Sequence, residues 1–185
     1  MEERIVTVQI KKDDKFLREK TKEFKFSKKI ASIDSRDFSF KELDELIRRM
    51  KRMMKLASGV GLSANQIGLG YRLFVAEVPD ANGTSKFYAV FNPKLERDRE
   101  MAVMEEGCLS VPGKYGFVER STKVRLTGLD KRGKVLKIRA WGFLAHVFQH
   151  EVDHLDGKLF IDKAKEVYDV PVTERLINKK NEVKK

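Results

Sequence analysis

His150-Glu151-Val152-Asp153-His154 carries the spacing H-E-x-x-H. Residues four apart are neighbours on a helix surface, so His150 and His154 can each present one ring nitrogen to a single ion. Glu151 is rotated by about 100° from His150. Its carboxylate falls beside such an ion, close to any water held there, which suits a general base better than a ligand. Two imidazoles with an adjacent carboxylate are the working core of many zinc hydrolases. The same residues on a solvated helix face would need no metal. Against that, the chain has three histidines and two of them form this pair. Phe143, Leu144, Val147, Phe148 and Leu155 also flank the motif, which predicts a core-facing helix.

A catalytic metal needs a third protein ligand and an open position. In the longer pattern H-E-x-x-H-x-x-G-x-x-H, Gly157 is in place but the last histidine position is Phe160. His146 precedes His154 by eight residues, about 12 Å along a helix axis, too far to share an ion whose ligand nitrogens lie about 2.1 Å from it. Asp162 and Glu166 remain as acidic candidates. The better one is Cys108, the single cysteine, in Glu105-Glu106-Gly107-Cys108-Leu109-Ser110-Val111-Pro112-Gly113. A lone cysteine is usually a small buried hydrophobe. Here the glycine before it and the Pro-Gly after it predict a shaped loop or strand end whose backbone can face a ligand.

Three separated motifs now stand in order: Gly59-Val60-Gly61-Leu62-Ser63-Ala64-Asn65-Gln66, Glu106-Gly107-Cys108-Leu109-Ser110 and Gln149-His150-Glu151-Val152-Asp153-His154-Leu155. Together they resemble the peptide deformylase family, metalloenzymes that remove the formyl group from the N-terminal formyl-methionine of new polypeptides. The resemblance spans roughly residues 40–162. Ser63 and Asn65 depart from the residues more usual there, and an N-terminal Pro-Asp-Pro-x-Leu-Arg is reduced to Asp13-Asp14-Lys15-Phe16-Leu17-Arg18. These departures touch loop geometry rather than the ligand set.

The resemblance implies a metal held by Cys108, His150 and His154, with Glu151 as general base and then acid. The Gln66 side chain and the Leu109 backbone N–H are candidates to hold an oxyanion; without the resemblance Gln66 reads as a loop tie. One divalent ion is implied, Fe2+ in the cell, with Zn2+, Ni2+ or Co2+ as substitutes. The segment around Val60 and Gly61 would pair with the substrate as an extra strand. Val147 and His146 share the face of His150, and Phe143 lies a turn back. With Val60 and Met104 they are candidates for the methionine side-chain slot, while Gly61 and Gly107 let backbone approach the substrate. Glu106 and Arg120 resemble an ion pair bracing the Cys108 loop.

The chain has 185 residues and 41% hydrophobic content, consistent with one domain over 1–185 and a basic, flexible tail from about 172. It contains no apolar run of membrane-spanning length. Met1-Glu2-Glu3-Arg4 does not begin a signal peptide. One cysteine excludes an internal disulfide framework, and a thiolate ligand suits a reducing cytoplasm. The formal net charge of +11 is dispersed among acids and reads first as a solvated surface. Its functional version is docking on the ribosome surface near emerging N-formyl-methionyl chains through basic patches. Sequence-specific nucleic-acid recognition and membrane binding are not expected.

Several elements must position these residues. Ile5-Val6-Thr7-Val8 reads as a short strand and 11–37 as an extended polar arm. Ser39 and Glu42 form a capping box, Phe38 and Leu43 a staple, and Leu43, Leu46, Ile47, Met50, Met53 and Met54 the apolar stripe of a helix ending near Gly59. Strands are expected at 72–78, 87–92, 118–120, 123–128 and 135–140, with turns at Asn82-Gly83 and Asp130-Lys131-Arg132-Gly133. The fold class that follows is α+β: mostly antiparallel sheets around a central metal-bearing helix, with an N-terminal helix and a C-terminal helix or tail over 172–185. An H-E-x-x-H metalloprotease with an acidic third ligand, and a non-catalytic basic binding module, are the competing readings.

Overall fold

The computed structural model of the chain describes residues 4–79 and 82–170, so the tail expected from 172 lies outside the described residues. Residues 5–8 form no strand. Instead the Val6 N–H donates to the Gln66 carbonyl (2.8 Å) and the Val8 N–H to the Ser110 carbonyl (3.0 Å). The segment predicted as a strand is a strap across two loops, because its donors reach isolated carbonyls rather than a ladder.

The region 11–37 is likewise not an extended arm. It forms helix α1 (Lys11–Leu17) and the strands β1 (Lys25–Phe26), β2 (Ile30–Ile33) and β3 (Arg36–Ser39), which pair in sequence order as a small antiparallel sheet. Few apolar residues suffice because almost every one is used: Leu17, Phe24, Ala31, Ile33 and Phe38 are all buried. Phe24 meets Phe38, Tyr71 and Phe91 edge to face. Its backbone is satisfied by a side chain, with Asn92 accepting from the Phe24 N–H (2.9 Å) and donating to the Phe24 carbonyl (2.8 Å).

Helix α2 (Phe40–Leu56) starts as its sequence predicts. The Ser39 hydroxyl accepts from the Glu42 N–H while the Glu42 carboxylate accepts from the Ser39 N–H. Leu43, Met50, Met53 and Met54 are buried, and Leu46 and Ile47 cover the edge of the same cluster.

Eight further strands follow: β4 (Gly61–Ser63), β5 (Leu73–Pro79), β6 (Ser85–Arg97), β7 (Met101–Cys108), β8 (Val111–Ser121), β9 (Lys123–Leu129), β10 (Val135–Trp141) and β11 (Val167–Asp169). They make a five-stranded sheet ordered β10-β9-β6-β5-β4 and a three-stranded sheet ordered β11-β8-β7. The strand pairs are antiparallel throughout. Strand β7 has no counterpart among the sequence expectations, because Glu105 and Glu106 interrupt its apolar alternation. Helix α3 (Gly142–Leu155) lies against both larger sheets and is buried on nearly every side from Ala145 onward. Its buried apolar residues Ala145, Val147, Phe148, Val152 and Leu155 join Phe74, Ala76, Val90 and Leu126 of the five-stranded sheet. That packing fixes the depth and rotation of the helix carrying the two histidines.

Candidate metal centre

The C-terminal end of β7 carries Cys108 against the C-terminal half of α3. A register shift between Gly107 and Cys108 turns the strand there. The ligand atoms of Cys108, His150 and His154 all lie within 4.8 Å of one another. Cys108 Sγ is 3.1 Å from His154 Nε2. The Ser110 N–H and the Gln66 amide also point at the sulfur, at 3.3 and 3.5 Å. Burial opposes ionisation of the Cys108 thiol, but the imidazoles of His154 and His150 outweigh it and bring it down to about 5. Burial likewise opposes charge on His150, and Cys108 with Glu106 overcomes it, lifting the imidazole well above its ordinary value. The chain thus favours a thiolate beside a positive charge. A divalent cation in the same place would supply that charge and displace the extra proton of His150, so the donor set fits a metal.

The other ligand candidates are placed elsewhere. Asp162 is engaged by Arg18 at 2.9 and 3.0 Å and accepts from the Leu159 N–H (2.8 Å). Glu166 is exposed, and Phe160 is buried in the apolar cluster that also takes in Cys108, with no atom that could ligate an ion. The acidic third ligand of the protease reading is therefore not met among the described residues. His146 is also outside the converging set. It is not a surface residue: it is buried, stacked on Phe143, with Nε2 3.3 Å from Glu106 Oε1.

Glu106 ties these parts together. Its Oε2 is 2.8 Å from His150 Nδ1, leaving Nε2 of that ring for a metal. The Arg120 guanidinium grips the same carboxylate from Nε (2.6 Å) and Nη2 (3.0 Å). Arg120 also donates to Asp153, which accepts from Lys163. Burial opposes ionisation of Glu106, yet His150 and Arg120 hold its carboxyl far below the usual carboxylate range. The predicted Glu106–Arg120 pair is thus one link of a chain running His150–Glu106–Arg120–Asp153–Lys163, buried at its three middle members and reaching the surface at Lys163.

Glu151 faces the other side of the site. Its Oε2 accepts from the Ser63 hydroxyl at 2.7 Å. Burial raises its pKa, and the two imidazoles and Ser63 only partly offset that. A carboxylate with raised proton affinity is suited to take a proton and return it. Its Oε1 lies so close to Gly61 that a Cβ there would sit 2.2 Å away. Gln66 is held by its own loop and by the turn after Cys108, with Oε1 accepting from the Ser63 N–H (2.8 Å) and Nε2 donating to Ser110 Oγ (3.2 Å). Asn65 donates to the His154 carbonyl (2.7 Å), fastening this loop to α3.

A cleft of about 230 Å³ opens onto these groups. Val60, Gly61, Gln66, Gly107, Leu109, Phe143, His146 and Val147, all singled out from the sequence, line it with Cys108, His150 and Glu151. Met104 does not. It sits opposite Val118, farther back along β7, and the wall of the cleft begins at Glu105. Tyr115 does line the cleft and was missed; its ring rests where a Gly107 Cβ would be, 2.7 Å away. Ser63 was read only as a loop departure, since its hydroxyl reaches Glu151 through a contact 88 positions apart in sequence.

Residues 5–169 match the family model described as Polypeptide deformylase. The chain is 48% identical over 118 residues to the peptide deformylase of Halothermothrix orenii, covering 64% of this chain and 75% of that protein. It is 41% identical over 129 residues to peptide deformylase 1 of Bacillus cereus, covering 70% of this chain and 81% of that one. Its fold is similar to the crystal structure of the Thermotoga maritima peptide deformylase, with a TM-score of 0.74 at 34% identity over 90% of this chain and 99% of the other.

Proposed function

The chain belongs to the polypeptide deformylase family and removes the N-formyl group from newly made polypeptides; we propose that Cys108, His150 and His154 hold one divalent metal ion for this reaction and that Glu151 moves the proton. The observation that carries the proposal is the convergence of these three donors within 4.8 Å, with the buried Glu151 carboxylate lining the same cleft.

The metal, when bound, would make a water in the site more acidic and polarise the formyl oxygen. Glu151 accepts a proton as the water oxygen bonds to the formyl carbon. As the C–N bond breaks, it returns the proton to the departing amine, leaving formate and a free N-terminus. The Gln66 amide and the Leu109 backbone N–H serve the oxygen on which charge develops; a donor in this role is worth about 3 kcal/mol. Glu106 fixes the ring of His150, and Ser63 holds Glu151 toward the cleft.

Strand β4 is the outer strand of its sheet and borders the cleft at Gly61. A substrate peptide adds to it in extended form, its backbone hydrogen-bonded as another strand. Val60, Phe143 and Val147, with His146 behind them, receive the methionine side chain. The ion is Fe2+ in the cell, with Zn2+, Ni2+ or Co2+ able to replace it. The setting is the cytoplasm, with basic surface patches bringing the enzyme to the ribosome; no helix of the described residues is long and apolar enough to cross a membrane. The test compares formyl-Met-Ala-Ser with acetyl-Met-Ala-Ser under anaerobic conditions. Rapid formate release without measurable acetate release is expected. Cleavage of internal peptide bonds, or equal release of both acids, would overturn the reading.

A further inference from the structure

Strands β6, β9 and β10 expose one face of the five-stranded sheet, and its residues fall in register. Glu96, Arg125 and Arg139 form one row across the three strands, and Lys94, Thr127 and Lys137 the next. Lys123 stands opposite Trp141 at the end nearest α3. Lys94, Glu96, Lys123, Arg125, Lys137, Arg139 and Trp141 are all exposed, and Trp141 is 68% accessible. Lys123 is matched from outside the face by Glu100 at 2.9 Å. Within the rows Glu96 is the single acid, 3.8 Å from Arg125. Arg125 and Arg139 are directly opposed like charges, an arrangement that destabilises a sheet in proportion to the charge left unmatched, and the row's one carboxylate stands on the Arg125 side. Charges on an edge strand guard against unwanted strand pairing, which accounts for Lys137 and Arg139 on β10. Arg125 on β9, a strand paired on both sides, faces Glu96 across one of those pairings, so the row Glu96, Arg125, Arg139 keeps one positive charge beyond its internal pair.

The margin of this face is a groove of about 540 Å³. Arg97, Arg99, Lys123, Arg125, Arg139 and Trp141 line it, with Glu96 and Asp98 as the acids. Trp141 precedes α3 immediately, and Phe143, two residues later, is 47% exposed and lines the catalytic cleft. The groove and the cleft mouth are thus joined through one helix start.

We infer that this face binds an unpaired stretch of RNA beside the cleft mouth, with Arg125 and Arg139 on phosphates and a base stacked on Trp141. Guanidinium pairs answer the phosphate backbone, and an exposed indole flanked by cations is the platform on which unpaired bases stack. An anionic membrane would satisfy the charges, but a rigid sheet with one indole offers no apolar helix face to insert. The inference gives the proposed ribosome approach a surface. It rests on the deformylase reading for its biological setting only.

Trp141 is the sole tryptophan of the chain, so intrinsic fluorescence reads the proposed contact directly. Titration of the full chain with a uridine dodecamer is expected to quench the emission saturably, with affinity falling as salt rises. Arg125→Gln/Arg139→Gln should lower the salt slope by about 1.4, at about 0.7 per phosphate contact on a single strand. Trp141→Leu should weaken binding of a labelled dodecamer several-fold. Deformylation of formyl-Met-Ala-Ser should be unchanged in these variants, which separates failure here from failure of the catalytic assignment. Absence of quenching at low salt, or a slope unaltered by the double substitution, would overturn the inference. So would equal quenching by vesicles of phosphatidylserine and phosphatidylcholine, which would mark the face as a membrane-surface contact instead.

Discussion

Gly61 shows how narrowly the general base is held. A Cβ at this position would lie 2.2 Å from Glu151 Oε1 and 2.8 Å from its carboxyl carbon. Gly61→Ala must therefore displace either the carboxylate or β4. A misplacement on the scale of 1 Å costs about 10²-fold in rate, and that fall in kcat, with a melting temperature little changed, is the expected result. An unchanged kcat would show that Glu151 can move without loss. At this scale much of the site was legible in the sequence. Metal chemistry restricts ligand types severely, and one cysteine with a helically spaced histidine pair left few combinations. Ser63 and Tyr115 were not legible, because serine and tyrosine suit many surroundings and their contacts with Glu151 and Gly107 exist only in the folded chain.

Arg120 acts between elements. It sits on β8, grips Glu106 on β7 and reaches Asp153 on α3, and all three side chains are buried. Its removal would strand two carboxylates without their main cation. Breaking a buried pair in this way costs about 3–5 kcal/mol, so Arg120→Leu should show a strongly reduced denaturant midpoint. Because Glu106 also holds His150, metal retention should weaken along with stability. Stability near wild type would mean that Lys163 and the neighbouring histidines alone neutralise the pair. The elements themselves were unevenly legible. Helix α2 announces itself through Ser39, Glu42 and a six-residue apolar stripe. Strand β7 does not, since Glu105 and Glu106 break its alternation while their partners are met only once the chain folds, Arg120 on the neighbouring strand and Tyr168 63 positions away. Only residues 118–120 of β8 were anticipated, because Pro112, Gly113 and Gly116 hide a strand that runs Val111–Ser121.

Across the whole molecule, the parts that local pattern misses are the ones that bind distant segments together. Residues 4–8 tie the Gln66 and Ser110 loops. Asn92 supplies the hydrogen bonds of a missing neighbour to Phe24, and Thr21 donates to the Leu155 carbonyl at the end of α3. The segment 11–37, with its scattered apolar residues, therefore folds as structure rather than as an arm. The α+β class survives such local errors, since alternating strand signals around one apolar helix admit few layer arrangements. Everything converges on a thiolate, two imidazoles and one carboxylate. The most direct test is metal content together with anaerobic formate release from formyl-Met-Ala-Ser for wild type, Cys108→Ser and Glu151→Gln. Glu151→Gln should retain its metal and lose turnover by about 10²–10⁴-fold, the usual contribution of general acid–base catalysis. Cys108→Ser should lose metal affinity and activity together. Full metal and full activity in Cys108→Ser, or wild-type turnover in Glu151→Gln, would contradict the assignment of those residues.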